Sequence, residues 1–492
     1  MALSANRRSP PRPAASTWLR RLGELAIVSA VAAGAQPSPE PDALIQGESL
    51  DDGFGFRVAA AGDVNRDGVE DYLVGADGVD DAGLAAGKVY LFHGPLTGRL
   101  QAASADATIT GEAELDGLGN SVAGVGDVND DGFDDILLGA RSNDAAGTQA
   151  GRAYLFYGPL GGSLEASNAD AILSGDPFDE LGWSVAGVGD VDDDGFDDVL
   201  VGAWMADIVG EAHLFLGPLA GPLTVADADA TVSGVIFSEE LGYDVAGGDL
   251  DDDGVPDLIL GAPRPPLGGE DPGSVYVFFG PVTGSHAASA ADVIVLGEHD
   301  NDELGISVAA GDVDGDGADD LIVGARQLFS DGPGRVYVFH GPLSGVLAAG
   351  DADAILLGET FPAEGGHFGA AVAALGDTNG DRIGDVLVGA PFAEAAGVRS
   401  GRAYLFHGPL AGTVSAGDAD RVFTGSEFDL LGTSVAAAAD DDGDGLRNAL
   451  VGAPRFFGEN GFGYAALYRG SATIFADGFE SGDTSAWTQT VP

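Results

Sequence analysis

Asp63-Val-Asn-Arg-Asp-Gly-Val-Glu-Asp71 decides the fold, because it recurs. Counterparts begin at Asp127, Asp190, Asp249, Asp312, Asp377 and Asp440, spaced 64, 63, 59, 63, 65 and 63 residues apart. A period that regular means one supersecondary unit arrayed many times. The shared pattern is D-x-[DN]-x-D-G-x-x-[DN]. Oxygen-bearing side chains at positions one, three and five turn inward together when the backbone curls into a tight loop. Glycine at position six permits the turn, a carbonyl at position seven points in, and a carboxylate at position nine closes the shell. That is the all-oxygen cage a hard cation such as Ca²⁺ prefers, with roughly 6–8 ligands. Asp, Asn and Gly also make ordinary turns. One such loop reads either way, but seven at one spacing favour ligation.

The flanks are not helical. Leu181-Gly-Trp-Ser-Val-Ala-Gly-Val-Gly189 precedes the third copy and Val199-Leu-Val-Gly-Ala203 follows it. Short, β-branched, glycine-punctuated runs read as strands, so each loop sits on a β-hairpin. Two further strands complete the repeat. One ends in glycine, as in Ala43-Leu-Ile-Gln-Gly47, and one resembles Val89-Tyr-Leu-Phe-His-Gly-Pro95. Four strands per repeat fit a propeller blade. The expectation is an all-β, seven-bladed β-propeller of four-stranded antiparallel blades. Its repeats cover about 42–105, 106–169, 170–228, 229–291, 292–352, 353–419 and 420–475. Placing Ala43 to Gly47 at the outer edge of the seventh blade seals the ring between the two chain ends and removes a free sheet edge. Ala472-Thr-Ile-Phe475 competes for the same place.

Composition narrows the function. The net charge is −58, from 79 acidic and 21 basic residues, and Lys88 is the only lysine. Nucleic-acid binding needs a basic footprint and is disfavoured. Cysteine is absent, which removes disulfides and thiolate chemistry. Residues 1–35 read as a signal peptide: Arg7, Arg8, Arg12, Arg20 and Arg21 lead an apolar run from Leu25 to Ala35, with Ala33-Gly-Ala35 for cleavage. That run is too short to span a membrane. Residues 36–41 form a Pro-rich spacer and 476–492 a polar tail. The chain is therefore expected to be secreted or held at a cell surface, by a bacterial export route, with no transmembrane segment in its mature form.

Phe54-Gly55, the acidic loop, and Gly-Ala-Pro at Gly261-Ala-Pro263, Gly389-Ala-Pro391 and Gly452-Ala-Pro454 resemble the FG-GAP repeat. The whole is similar to the propeller at the head of integrin α subunits. The resemblance implies up to seven Ca²⁺ ions. It assigns as ligands Asp63, Asn65, Asp67 and Asp71 in the first loop, and Asp127, Asn129, Asp131 and Asp135 in the second. The third loop offers Asp190, Asp192, Asp194 and Asp198, the fourth Asp249, Asp251, Asp253 and Asp257. The fifth has Asp312, Asp314, Asp316 and Asp320, and the sixth Asp377, Asn379, Asp381 and Asp385. The seventh has Asp440, Asp442, Asp444 and Asn448. Arg382 replaces the loop glycine and Asn448 the closing Asp, which marks these two sites as the weakest. The resemblance further implies an adhesion or recognition module for an extracellular protein or glycan. A structural surface or matrix protein is the alternative.

No catalytic constellation emerges. His93, His340 and His407 share one repeat position, filled elsewhere by Tyr157, Leu216, Phe279 and Arg469. That is a strand-surface position, not a catalytic one. No G-x-S-x-G elbow lies at a strand–helix junction. Trp183 aligns with Phe56, Asn120, Tyr243 and Ile306 and reads as core-facing, whereas Trp204 is a surface aromatic suited to stacking on a sugar.

Overall fold

The computed structural model describes residues 38–263, 272–327, 332–361, 366–455 and 462–472. The expected leader, most of the tail and most of Ala472–Phe475 lie outside the described residues. Seven small sheets form the expected seven-bladed all-β propeller. In the first blade Arg57–Gly62 runs innermost, followed outward by Asp71–Ala76, Lys88–Phe92 and Ala107–Thr110, all antiparallel. The outer strand of each blade thus comes from the next repeat.

The ring closes with the N-terminal strand. Ala43–Gln46 pairs antiparallel with Tyr464–Tyr468 of the last blade, Ala43 opposite Leu467 and Gln46 opposite Tyr464. Two strands distant in sequence thereby share one ladder.

Six of the sheets hold a fifth strand that the four-strand expectation missed. Gly162–Glu165, from the second repeat, lies parallel on the outer edge of the first blade, and Gly98–Gln101 does the same beside Ala43–Gln46. These strands cover the unpaired backbone that an edge would otherwise present. The sixth blade has four strands among the described residues.

The second strands explain the unbroken apolar runs. Every residue of Asp71–Ala76 is buried, because both faces of each blade pack on a neighbour. Tyr72, Val74, Tyr90 and Phe92 face Leu450 and Leu467 of the last blade. Leu73, Val89, Leu91 and Ile109 face Ile136, Leu138 and Tyr154 of the second. A strand buried on both sides loses the alternation of a half-exposed one. Around the axis, Ala60, Ala310, Ala374 and Ala437 line a cavity of ≈ 290 Å³.

The glycines of the FG and GAP segments meet across blades. Gly55 takes a φ of +86°, and its N–H donates to Gly75 O of its own blade at 3.1 Å. Its carbonyl lies against Gly452 of the last blade, where a Cβ would sit 2.2 Å from that oxygen. The same contact joins Gly75 to Gly119 O, at 2.2 Å from such a Cβ. Two backbones touch at each junction, so no side chain fits between them.

Candidate metal centre

Each acidic loop joins an innermost strand to the second strand of its blade. In the first loop Asp63 accepts the N–H groups of Asp67 at 2.9 Å and Gly68 at 2.8 Å. Asp67 accepts that of Val69 at 2.9 Å. The fourth loop repeats this: Asp249 takes Asp253 at 3.1 Å and Gly254 at 2.8 Å, and Asp253 takes Val255 at 2.9 Å. These bonds curl the loop and hold its carboxylates on one side.

Position nine is the anchor. Asp71, Asp135, Asp198, Asp257, Asp320 and Asp385 are all 0% exposed. One oxygen of Asp135 accepts Val128 N–H at 3.0 Å, the other Gly158 N–H at 2.9 Å. Gly158 precedes Pro159 in a cis peptide bond, as glycine does in six blades. Sequence reading had missed this use of the recurrent Gly-Pro. Burial raises the carboxyls of Asp135 and Asp257 to about 7 and those of Asp71 and Asp198 to about 6. It raises Asp320 and Asp385 as well. The backbone donors oppose the shift and do not cancel it.

The loops differ in how far they converge. Carboxylate oxygens lie within 4.8 Å of one another for Asp190, Asp192 and Asp194, and for Asp249, Asp251 and Asp257. The same holds for Asp312, Asp314 and Asp316, and for Asp440, Asp442 and Asp444. The first, second and sixth loops carry an amide at position three. Asn65 Oδ1 and Asp251 Oδ1 are buried without a hydrogen-bond partner, which suits a cation. The donors are all hard oxygens, so the residues fit a divalent ion of the calcium type.

The two departures behave differently. Arg382 takes a φ of +72°, close to the +85° of Gly132, and donates its N–H to Asp377 as the glycines do. In the seventh loop Asn448 Nδ2 donates to Ala439 O at 2.6 Å and to Asp441 Oδ1 at 3.2 Å. Arg469 Nε donates to Asp441 at 2.9 Å, and its Nη1 lies 3.4 Å from Asp442. A resident guanidinium thus offsets part of that loop's charge.

The aromatic residues require a correction. Trp183 is half-buried, not in the core. It packs against Trp204 at 4.7 Å and Tyr243 at 5.0 Å between ring centroids, with the Arg141 guanidinium 4.5 Å from its ring. The two tryptophans occupy different repeat positions, which kept their contact hidden in the sequence.

Blades of this geometry, with acidic loops on their inner hairpins, define a seven-bladed propeller with one acidic loop per blade. Four segments match the FG-GAP repeat family, at residues 118–156, 241–278, 304–339 and 368–406. Each runs from the turn before an innermost strand, through the loop, to the third strand. The chain therefore carries FG-GAP repeats, and its relatives are integrin α chains. It is 31% identical to Drosophila melanogaster integrin alpha-PS2 over 231 residues, 43% of this chain and 15% of that one. To Xenopus laevis integrin alpha-5 it is 32% identical over 228 residues, 44% of this chain and 20% of that one. To human integrin alpha-X it is 34% identical over 204 residues, 41% and 16% of the two chains. The matches thus span no more than a fifth of these relatives. Among solved structures, a chain from "Crystal structure of BBS1N in complex with ARL6DN, soaked with lead" aligns at a TM-score of 0.42 and 11% identity, covering 85% of this chain and 93% of that one.

Proposed function

We propose that this chain is an exported, calcium-binding propeller that acts as an integrin-α-like adhesion or recognition module, not as an enzyme. The carrying observation is the acidic loop itself: three carboxylates drawn within 4.8 Å of one another at four blades, with buried carboxylates at position nine and no basic partner for most of them. Like charges held that close repel unless a cation neutralises them. Asp63, Asn65, Asp67 and Asp71 and their counterparts would hold the ions, up to seven in all. The kinship to integrin α chains supports an extracellular protein or glycan as the ligand, and the acidic surface argues against nucleic acid. The leader at 1–35, the spacer at 36–41, the propeller at 42–475 and the tail at 476–492 remain the proposed organisation. No helix among the described residues is long and apolar enough to cross a membrane.

The test is thermal unfolding in ~1 mM Ca²⁺ and in excess EDTA, with Mg²⁺ as control. With dissociation constants of about 10⁻⁴–10⁻³ M, each site adds roughly 0.4–1.4 kcal/mol at ~1 mM Ca²⁺. A Ca²⁺-specific rise in midpoint is expected. An unchanged midpoint would reduce the loops to turns.

A further inference from the structure

The residue that follows the third strand of each blade, just before Gly-Pro in six of them, varies: His93, Tyr157, Leu216, Phe279, His340, His407 and Arg469. It stands beside the acidic loop because the next N–H binds the position-nine carboxylate. Gly341, for example, donates to Asp320 Oδ1 at 2.9 Å. Arg469 illustrates the reach of this position, since it lies over Asp441 and Asp442 as a resident cation.

In the fifth blade the position holds an imidazole. His340 Nδ1 lies 3.3 Å from Asp314 Oδ2. One nitrogen of His340 and one oxygen from each of Asp314 and Asp320 fall within 4.8 Å of one another. His340 Nε2 is buried without a hydrogen-bond partner, while the side chain as a whole keeps 22% exposure, enough for an ion to enter. His93 shows a weaker version, its Nε2 unpartnered and 4.0 Å from Asp71 Oδ2.

We propose that His340, Asp314 and Asp320 form a mixed nitrogen–oxygen site for a first-row transition ion, with Zn²⁺ as its probe. The inference deepens the metal reading above and rests on the same loop geometry. Calcium takes oxygen donors, whereas imidazole with carboxylates suits Zn²⁺ and its neighbours. Three protein ligands leave further coordination positions to water. The blades with Leu216 or Phe279 lack the nitrogen, so the fifth blade differs in the kind of ion it selects.

The experiment is equilibrium dialysis of the full chain against millimolar Ca²⁺ and micromolar Zn²⁺, with both metals counted in the same sample. His340→Phe installs the residue found in the fourth blade, and His340→Leu that of the third, so at least one folded variant is expected. His286→Phe, on another strand, is the control. The expected result is one fewer Zn²⁺ and one more Ca²⁺ per chain in the His340 variants, because the fifth loop keeps its four carboxylates, with both counts unchanged in the control. Equal Zn²⁺ contents in wild type and both His340 variants would overturn the proposal. A chain that binds no Ca²⁺ but still loses one Zn²⁺ on substitution would overturn the calcium reading and uphold this one.

Discussion

Asp134 of the second blade accepts the backbone N–H of Asp63, the first residue of the first blade's acidic loop, at 2.6 Å. Asp134 N–H in turn donates to Asp63 O at 3.4 Å, so one residue clasps the neighbouring loop from both sides. Asp197 does the same to Asp127, at 2.8 Å through its side chain. Asp319 does so to Asp249 at 3.1 Å, and Glu70 reaches Ala439 across the ring closure. In these four loops position eight is therefore an inter-blade clasp, and the acidic loop helps to hold the ring. Pro256 stands at the junction of the third and fourth blades with neither carboxylate nor N–H.

Removing one clasp should loosen one seam. Asp134→Ala strips a charged acceptor from Asp63 N–H, and hydrogen bonds to charged groups contribute about 1.5–3 kcal/mol. Urea unfolding should show a loss of roughly that size. The reverse change at the weak junction, Pro256→Asp, restores an N–H and a carboxylate next to Asp190 and should stabilise by about 1 kcal/mol. A stabilisation absent from Pro256→Asp would show that the clasp adds nothing to a junction already held by packing and by bonds such as Ser184 Oγ to Gly242 O.

The contact between Gly452 and Gly55 predicts a large steric effect. Gly452→Ala places a methyl 2.2 Å from a backbone oxygen, and overpacking of this kind costs about 3 kcal/mol. Gly162→Ala is the comparison: its φ is +75°, but nothing lies within 4 Å of a Cβ there, so only the left-handed strain of about 1–2 kcal/mol applies. Melting curves should rank Gly452→Ala well below Gly162→Ala. Equal losses would mean that the glycines serve backbone conformation and not close approach.

Much of this was legible because a repeat states each rule seven times. The period gave the blade number, and counting glycine-ended strands assigned Ala43–Gln46 to the closure. What stayed hidden lies between blades or between strands distant in sequence. Gly98-Arg-Leu-Gln101 is four residues long and largely exposed, with no apolar alternation to mark it as a strand, and its partner belongs to another blade. Asp134 reads as one more acidic loop residue until its neighbour's N–H is seen beside it. The anchoring of position nine by Gly158 depends on a turn 23 residues away. Trp183 and Trp204 meet because they flank the paired ends of Ser184–Gly189 and Asp198–Ala203, where Ser184 lies opposite Gly202.

Arg382 should be improvable. A non-glycine residue at a φ of +72° bears about 1–2 kcal/mol of strain, partly offset by the greater freedom glycine has when unfolded. Arg382→Gly should therefore stabilise by roughly 0.5–1 kcal/mol without metal. It also removes a positive charge from the loop that carries Asp377 and Asp381, so the Ca²⁺-dependent gain in midpoint should grow. Isothermal titration of the variant should find tighter binding at one site; unchanged affinity would place the Arg382 guanidinium too far away to matter.

The buried anchors set the pH response. Burial lifts Asp135 and Asp257 to about 7 and Asp71 and Asp198 to about 6, above the ordinary carboxylate value of about 4. Between those values the folded chain binds more protons than the unfolded one, so stability falls as pH rises. On this account the contribution to metal-free stability is full at or below about pH 4 and is lost progressively up to about pH 7, as the anchors ionise. Bound Ca²⁺ stabilises the ionised form and should flatten or reverse that slope. Asp135→Asn removes one titrating anchor and should reduce the slope in EDTA. Denaturation midpoints across this range, with EDTA and with Ca²⁺, measure both effects. A metal-free chain whose stability rises from pH 5 to 7 would show that the anchors are ionised in the fold without help, and that their backbone donors alone offset the burial.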